Sequence, residues 1–225
     1  MPATPLSRAL TVLLVLSSVV AISTSDADGW RWVYWVAKPL ATFAVLVLAA
    51  SADRPVSARY RKAVTAGLFL SLVGDVLLML PVDLFAAGLG AFLLAHLCYL
   101  AAFLGESPFL ARPVALVGYA LVAAALVTAV FRGVPLALRA PVIAYVVVIT
   151  LMATQAAVWM LEKPSPNAQR AAIGAAWFLV SDATLAIDRF RMDVPYRELV
   201  ILGTYYLAQW CIARSVERDA PGVPA

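Results

Sequence analysis

Four side chains able to carry a proton or a charge, Lys38, Asp75, His96 and Asp182, stand among apolar neighbours. Asp75 lies in 71-SLVGDVLLML-80 and Asp182 in 181-SDATL-185. A carboxyl group withdrawn from water favours its neutral form, and a carboxylic acid that keeps its proton near neutral pH is a general acid. Two carboxyls in one site divide the work, one donating and one accepting a proton. The pattern points to acid–base chemistry by Asp75 and Asp182, with His96 as a third catalytic candidate. Ser71, Tyr99, Tyr145, Gln155, Ser181, Tyr205, Tyr206 and Gln209 are the hydrogen-bonding company. Tyr99 follows His96 by three residues, and Gln209 follows Tyr206 and Tyr205 by three and four, so each set shares a helix face.

Every one of these residues also has a packing explanation. Asp75 could hold helices together through hydrogen bonds, although Asn or Ser would do so at lower cost. Asp182 could pair with an arginine near the end of its segment. His96 could bond Asp75 or a backbone carbonyl within the core. Lys38 could snorkel to the headgroups. Tyr205, Tyr206 and Gln209 could form a packing stripe, and Ser71 and Ser181 are more often helix contacts than nucleophiles.

The elements that must position these groups are set by composition. The chain has 225 residues, 64% of them hydrophobic and only 13% charged. A soluble domain is roughly 45–50% apolar and ~25% charged, so the solvent here is a bilayer. There an ionised Asp at mid-helix costs ~3 kcal/mol on insertion scales and needs a reason to be present. Crossing the hydrocarbon takes about 20 helical residues. Charge-poor runs mark eight expected transmembrane helices, at about 7–25, 32–52, 62–81, 84–104, 113–131, 139–161, 169–187 and 198–214. The expectation is an all-α polytopic bundle forming one domain over 1–215, with a disordered tail at 216–225. The first run is read as a retained span, since its basic region is only Arg8.

Short connections bind the helices closely. The linker 81-PVD-83 forces the third and fourth helices to pack antiparallel. Gly74-Asp75 and Ser181-Asp182 lie four helices apart, which raises a four-plus-four internal repeat in which both carboxyls keep one orientation and one level. With the N-terminus inside, ten Lys and Arg residues flank the cytoplasmic ends and six the opposite ends. This bias gives both termini as expected in the cytoplasm; the cell (inner) membrane is the expected location, with the host membrane itself left open by the sequence. The net charge of +4 is spread over these flanks, so nucleic acid is not an expected partner. Cys98 and Cys211 fall within apolar runs and read as small buried side chains.

Several chemistries are excluded cheaply. A catalytic zinc site needs three protein ligands, usually with more than one His, and the chain has a single His. No G-x-S-x-G elbow, P-loop or dinucleotide fingerprint occurs; Gly88-Leu89-Gly90 lacks the third glycine.

Lys38-Pro39-Leu40, 74-GDVLLML-80, 88-GLGAFLLAHLCYLAAF-103, 174-GAAWFLVSDATLAIDRF-190 and 204-TYYLAQWCIARS-215 together resemble the YhhN-like (lysoplasmalogenase) family, in order and spacing over about residues 32–215. The resemblance implies an eight-span hydrolase that cleaves the vinyl ether bond of lysoplasmalogens, releasing a fatty aldehyde and a glycerophospho-ethanolamine or -choline. It implies no metal and no cofactor, and a lysophospholipid as the partner besides the bilayer. On that resemblance Asp75 is the expected acid, and Asp182 stabilises the cation or activates water. His96 and Tyr99 position water or tune Asp75, and Lys38 meets the lipid phosphate. Ser181, Tyr205, Tyr206 and Gln209 complete the expected substrate contacts. The scheme requires both carboxyls to meet in a dry pocket that a single-chain lipid can enter.

Two other classes compete. A proton-coupled small-molecule or lipid transporter would also use intramembrane Asp and Lys, but Pro39, Pro81, Pro113, Pro141 and Pro195 are expected at span ends rather than in broken helices. A non-catalytic membrane scaffold would use the Asp residues for packing alone and would tolerate Asn at both. The sequence leaves the oligomeric state open.

Overall fold

A computed structural model describes residues 4–25, 27 and 29–218. The chain forms eight α-helices: α1 (Pro5–Thr24), α2 (Arg31–Ala50), α3 (Ala58–Met79), α4 (Phe85–Leu104), α5 (Pro113–Val130), α6 (Leu136–Glu162), α7 (Pro166–Phe190) and α8 (Arg197–Arg214). A 3₁₀ turn, Phe131–Gly133, follows α5. Local chemistry sets several starts. Pro5, Pro113 and Pro166 open α1, α5 and α7, where a missing N–H costs nothing. Thr4, Ser57 and Ser165 cap α1, α3 and α7 by accepting from backbone N–H groups three residues on. The Ser57 cap starts α3 at Ala58, four residues before the expected 62, so Arg59, Arg61 and Lys62 are helical.

Among the described residues, seven helices are long and apolar enough to cross a membrane; α8 is not. Of the eight expected spans, seven meet this measure of length and hydropathy. The eighth, α8, falls short because it carries Arg197, Glu198, Thr204, Tyr205, Tyr206 and Gln209 in 18 residues. Its tyrosines, Gln209 and Leu202 are buried, so its polar tips point into the bundle. Two of the five prolines expected at span ends lie inside helices instead, Pro39 in α2 and Pro141 in α6. Both helices run on without a break, so each proline removes one backbone hydrogen bond only.

Packing links each helix to the next in the chain except α4 to α5, and closes the bundle through α8, which lies on α7, α2 and α1 and touches α3. Across the bundle α4 packs on α6. The closest approach is between α3 and α4. A Cβ at Gly67 would stand 2.3 Å from the Tyr99 ring, and one at Gly74 would stand 2.6 Å from the Phe92 ring. Glycine at these two positions lets the aromatic side chains of α4 reach the α3 backbone, as small residues do between membrane helices. The sequence segment 216–225 was expected to be a disordered tail. Val216 and Glu217 instead pack on the α2–α3 loop, with Val56 N donating to Val216 O at 2.9 Å; residues 219–225 lie outside the described residues.

Candidate active site

The chemistry-bearing side chains come together in one half of the bundle. At 1.5 Å per residue, Lys38, Asp75, His96, Tyr145, Asp182 and Tyr205 all lie within about 17 Å of the helix ends joined by the α1–α2, α3–α4, α5–α6 and α7–α8 connections. Each sits on an inward face set by helical periodicity. Tyr34, Lys38 and Thr42 recur at four-residue intervals on α2, and Ser71 and Asp75 do so on α3.

Asp75 is 2% exposed and accepts from every side. Thr42 Oγ1 donates to its Oδ2 at 2.5 Å, and Tyr205 OH donates to the same oxygen at 2.7 Å. Lys38 Nζ faces Oδ1 at 3.9 Å. The lysine is itself 7% exposed, with Nζ 5.6 Å from the Tyr34 ring centroid. A buried ammonium needs a counter-charge, and Asp75 is that partner. Lys38 therefore turns inward, and the expectations that it snorkels or stands at headgroup level are corrected. Its backbone carbonyl accepts from Tyr206 OH at 3.3 Å, tying α8 to α2.

Asp182 has a different setting. Tyr145 OH donates to its Oδ2 in a short hydrogen bond, and His96 Nε2 stands 3.9 Å from that oxygen. The His96 ring is fully buried, and neither nitrogen has a hydrogen-bond partner among the described residues. It is held edge-on by Phe178 (centroids 4.6 Å apart) and Tyr145 (5.2 Å). His96 thus stands beside Asp182, not beside Asp75 as expected. The alternative pairing of Asp182 with an arginine is replaced by Tyr145 and His96. The Asp182 side chain is 17% exposed, and it opens onto an apolar crevice of about 60 Å³ lined by residues of α4, α5, α6 and α7.

The remaining candidates bridge these two centres or pack helices. Tyr99 OH donates to Gln209 Oε1 at 2.9 Å and lies 3.2 Å from Ser71 Oγ. It tunes neither carboxyl directly. Ser181 Oγ donates to the Ile201 carbonyl at 2.9 Å, a contact between α7 and α8. The two carboxyls do not share a partner. Phe178 is the ring common to both surroundings, touching Tyr205 at 5.5 Å and His96 at 4.6 Å. The expected single pocket is therefore two adjoining centres, because aromatic side chains of α4, α7 and α8 fill the space where the carboxyls would have met.

Three residues of these centres were absent from the expected site. Thr42 makes the shortest contact to Asp75, and its signal was present as the residue one turn after Lys38. Phe178 gives no polar signal in the sequence. Tyr145 was visible only as hydrogen-bonding company. Among the described residues, no group of three or more His, Cys, Asp or Glu could hold a metal ion.

Fold and site define an all-helical integral membrane protein that carries inward-facing carboxyls on α3 and α7. The chain belongs to the YhhN family, whose model matches residues 33–216. It is 35% identical over 163 residues to the human lysoplasmalogenase TMEM86B, covering 72% of this chain and 67% of that protein. It is 35% identical over 176 residues to a lysoplasmalogenase of Mycobacterium tuberculosis, covering 75% of this chain and 65% of that protein. The uncharacterized membrane protein YhhN of Escherichia coli O157:H7 is 28% identical over 208 residues, covering 91% of this chain and 97% of its own length. The matched stretch thus spans about two thirds of the relatives named lysoplasmalogenase. No solved structure matches the chain.

Proposed function

We propose that this protein is a membrane hydrolase that cleaves the vinyl ether bond of lysoplasmalogens, with Asp182 as the proton donor. The observation that carries the assignment is the place of Asp182 on the wall of an apolar crevice, hydrogen-bonded by Tyr145 and backed by the unpartnered His96. The names of the human and mycobacterial relatives support the reaction. The proton is added to the β-carbon of the vinyl ether and leaves an oxocarbenium ion. Water adds at the carbon next to oxygen, and the hemiacetal collapses to a fatty aldehyde and the glycerophospho-alcohol. His96 Nε2 stands 3.9 Å from Asp182 Oδ2, and in this reading the pair directs the attacking water.

Asp75 is assigned a positioning role. Held by Thr42, Tyr205 and Lys38, it pairs with Lys38 and orients Tyr205. Lys38 is enclosed by Asp75 and Tyr34 and is assigned no phosphate contact. A polar cavity of about 330 Å³ bordered by Arg31, Tyr34, Arg197 and Glu198 lies on the same side of the bundle. In this reading α8 crosses the bilayer as an eighth helix, both termini are cytoplasmic, and the site is reached from the opposite leaflet. The test is aldehyde release from a defined lysoplasmalogen by the purified, folded protein. Unchanged turnover in Asp182→Asn would remove it as the acid, and a wild-type protein that releases no aldehyde would remove the reaction.

A further inference from the structure

The helices that flank the two centres are arranged unequally. On the Asp75 side, α1 lies against α2 and also against α8, closing the bundle. On the Asp182 side, α5 lies against α6, α7 and its own 3₁₀ turn, but makes no substantial packing with α4. Leu89 and Phe92 of α4 form one bank of the resulting gap, Val122 and Leu126 of α5 the other, and α6 and α7 the floor. The opening has a fixed frame. Gln155 Nε2 donates to Ser107 Oγ at 2.9 Å and to the carbonyls of Ser107 and Pro108, and its Oε1 accepts from Leu110 N, so the loop entering α5 is pinned. At the other end, Gly133 lies so close to the Phe190 carbonyl that a Cβ there would stand 1.7 Å from it. With both ends of α5 fastened, the gap between α4 and α5 belongs to the fold.

A lipid tail resting on an apolar surface needs no acid in the wall. This crevice has Asp182 and Tyr145 in its wall, with a fully buried, unpartnered histidine behind them. We propose that the crevice seats the single hydrocarbon chain of the substrate, which enters sideways from the bilayer between α4 and α5 and brings its first carbons to Asp182. The proposal rests on the hydrolase reading for the identity of the reacting bond, but the seat itself is defined by chain chemistry. The crevice takes one chain, so single-chain lipids should compete for it better than diacyl lipids.

The test uses a lysophospholipid with a saturated alkyl ether chain bearing a mid-chain diazirine, photolysed with the full-length protein in phosphatidylcholine nanodiscs. Adducts mapped by mass spectrometry are expected on crevice residues of α4–α7, and excess unlabelled alkyl lysolipid, but not diacyl lipid, should displace them. Val122→Trp, which fills the gap from α5, should weaken saturable labelling and raise KM for a lysoplasmalogen about tenfold, the effect of losing a few methylene contacts. Val114→Trp, on the same helix but outside the crevice and 71% exposed, should leave both within about twofold. Labelling that is uniform over the lipid-facing helices, or saturable only elsewhere, overturns the proposal. So does an unchanged KM in a folded Val122→Trp protein. If that variant fails to fold, the wild-type adduct map still decides. Because the probe has no vinyl ether, saturable crevice labelling without aldehyde release would support the seat while removing the hydrolase reading.

Discussion

Asp75 and Asp182 are the same residue type in the C-terminal halves of α3 and α7, yet their surroundings differ in kind. Asp75 takes its partners from α2 and α8, and Asp182 takes its from α6 and α4. Each carboxyl is thus met from the preceding helix and from one other helix. The chemistry of the two surroundings differs. Asp75 faces a lysine and two hydroxyls and is closed in by α1 and α8. Asp182 has one hydroxyl, a histidine without partners and an open flank. Asp75 is thus enclosed by groups that donate to it, whereas Asp182 keeps one edge on an apolar cavity. The comparison teaches that neighbours, not the Asp itself, decide whether a carboxyl is enclosed in a charge pair or left facing a cavity.

The comparison can be broken most directly at Asp182. Asp182→Asn should lower aldehyde release about 10²–10⁴-fold, the usual range for a general acid, while the unfolding temperature changes little. Asp75→Asn should act in the opposite manner. It leaves a buried ammonium unpaired, which costs about 3–5 kcal/mol of stability. The double variant Lys38→Met with Asp75→Asn should recover most of that loss in detergent unfolding curves. Failure of the second substitution to restore stability would show that Asp75 is more than the partner of Lys38. His96→Phe keeps an aromatic ring in the Phe178 and Tyr145 contacts. It should lower kcat by about 10²-fold if the ring directs water, and leave the melting temperature near wild type. Retained turnover would make His96 a packing residue and return the two centres to equality. The smallest effect is expected for Tyr145→Phe, where loss of one hydroxyl should lower turnover about tenfold, worth about 1 kcal/mol or somewhat more.

Much of this was legible before any coordinates. An Asp, His or Lys among apolar residues is conspicuous because the bilayer makes it costly wherever the helix is placed, so Lys38, Asp75, His96 and Asp182 could be named from residue type alone. The family resemblance drawn from the GD, H-x-x-Y and SD segments agrees with the family match. The polar company was named, but not who meets whom. Helical periodicity gives the face on which Tyr99 or Tyr205 lies, and many helices could lie opposite that face. His96 was expected at Asp75 because the 81-PVD-83 turn makes α3 and α4 adjacent, and the two helices are indeed in contact. Yet the ring points past α3, toward Asp182 and Tyr145, since Tyr99 and Phe92 already occupy the small-residue face of Gly67 and Gly74.

The sequence by itself determined the solvent, the helical class and the chemistry-bearing residues, because transfer of polar groups into hydrocarbon is a property of each residue and its immediate run. Only the tertiary structure decided that Lys38 is a counter-ion, that Thr42 belongs to the Asp75 centre, and that the gap beside α5 exposes Asp182 alone. These outcomes depend on packing between helices distant in the chain. Such contacts are fixed by the joint fit of several side-chain surfaces, which no single segment encodes.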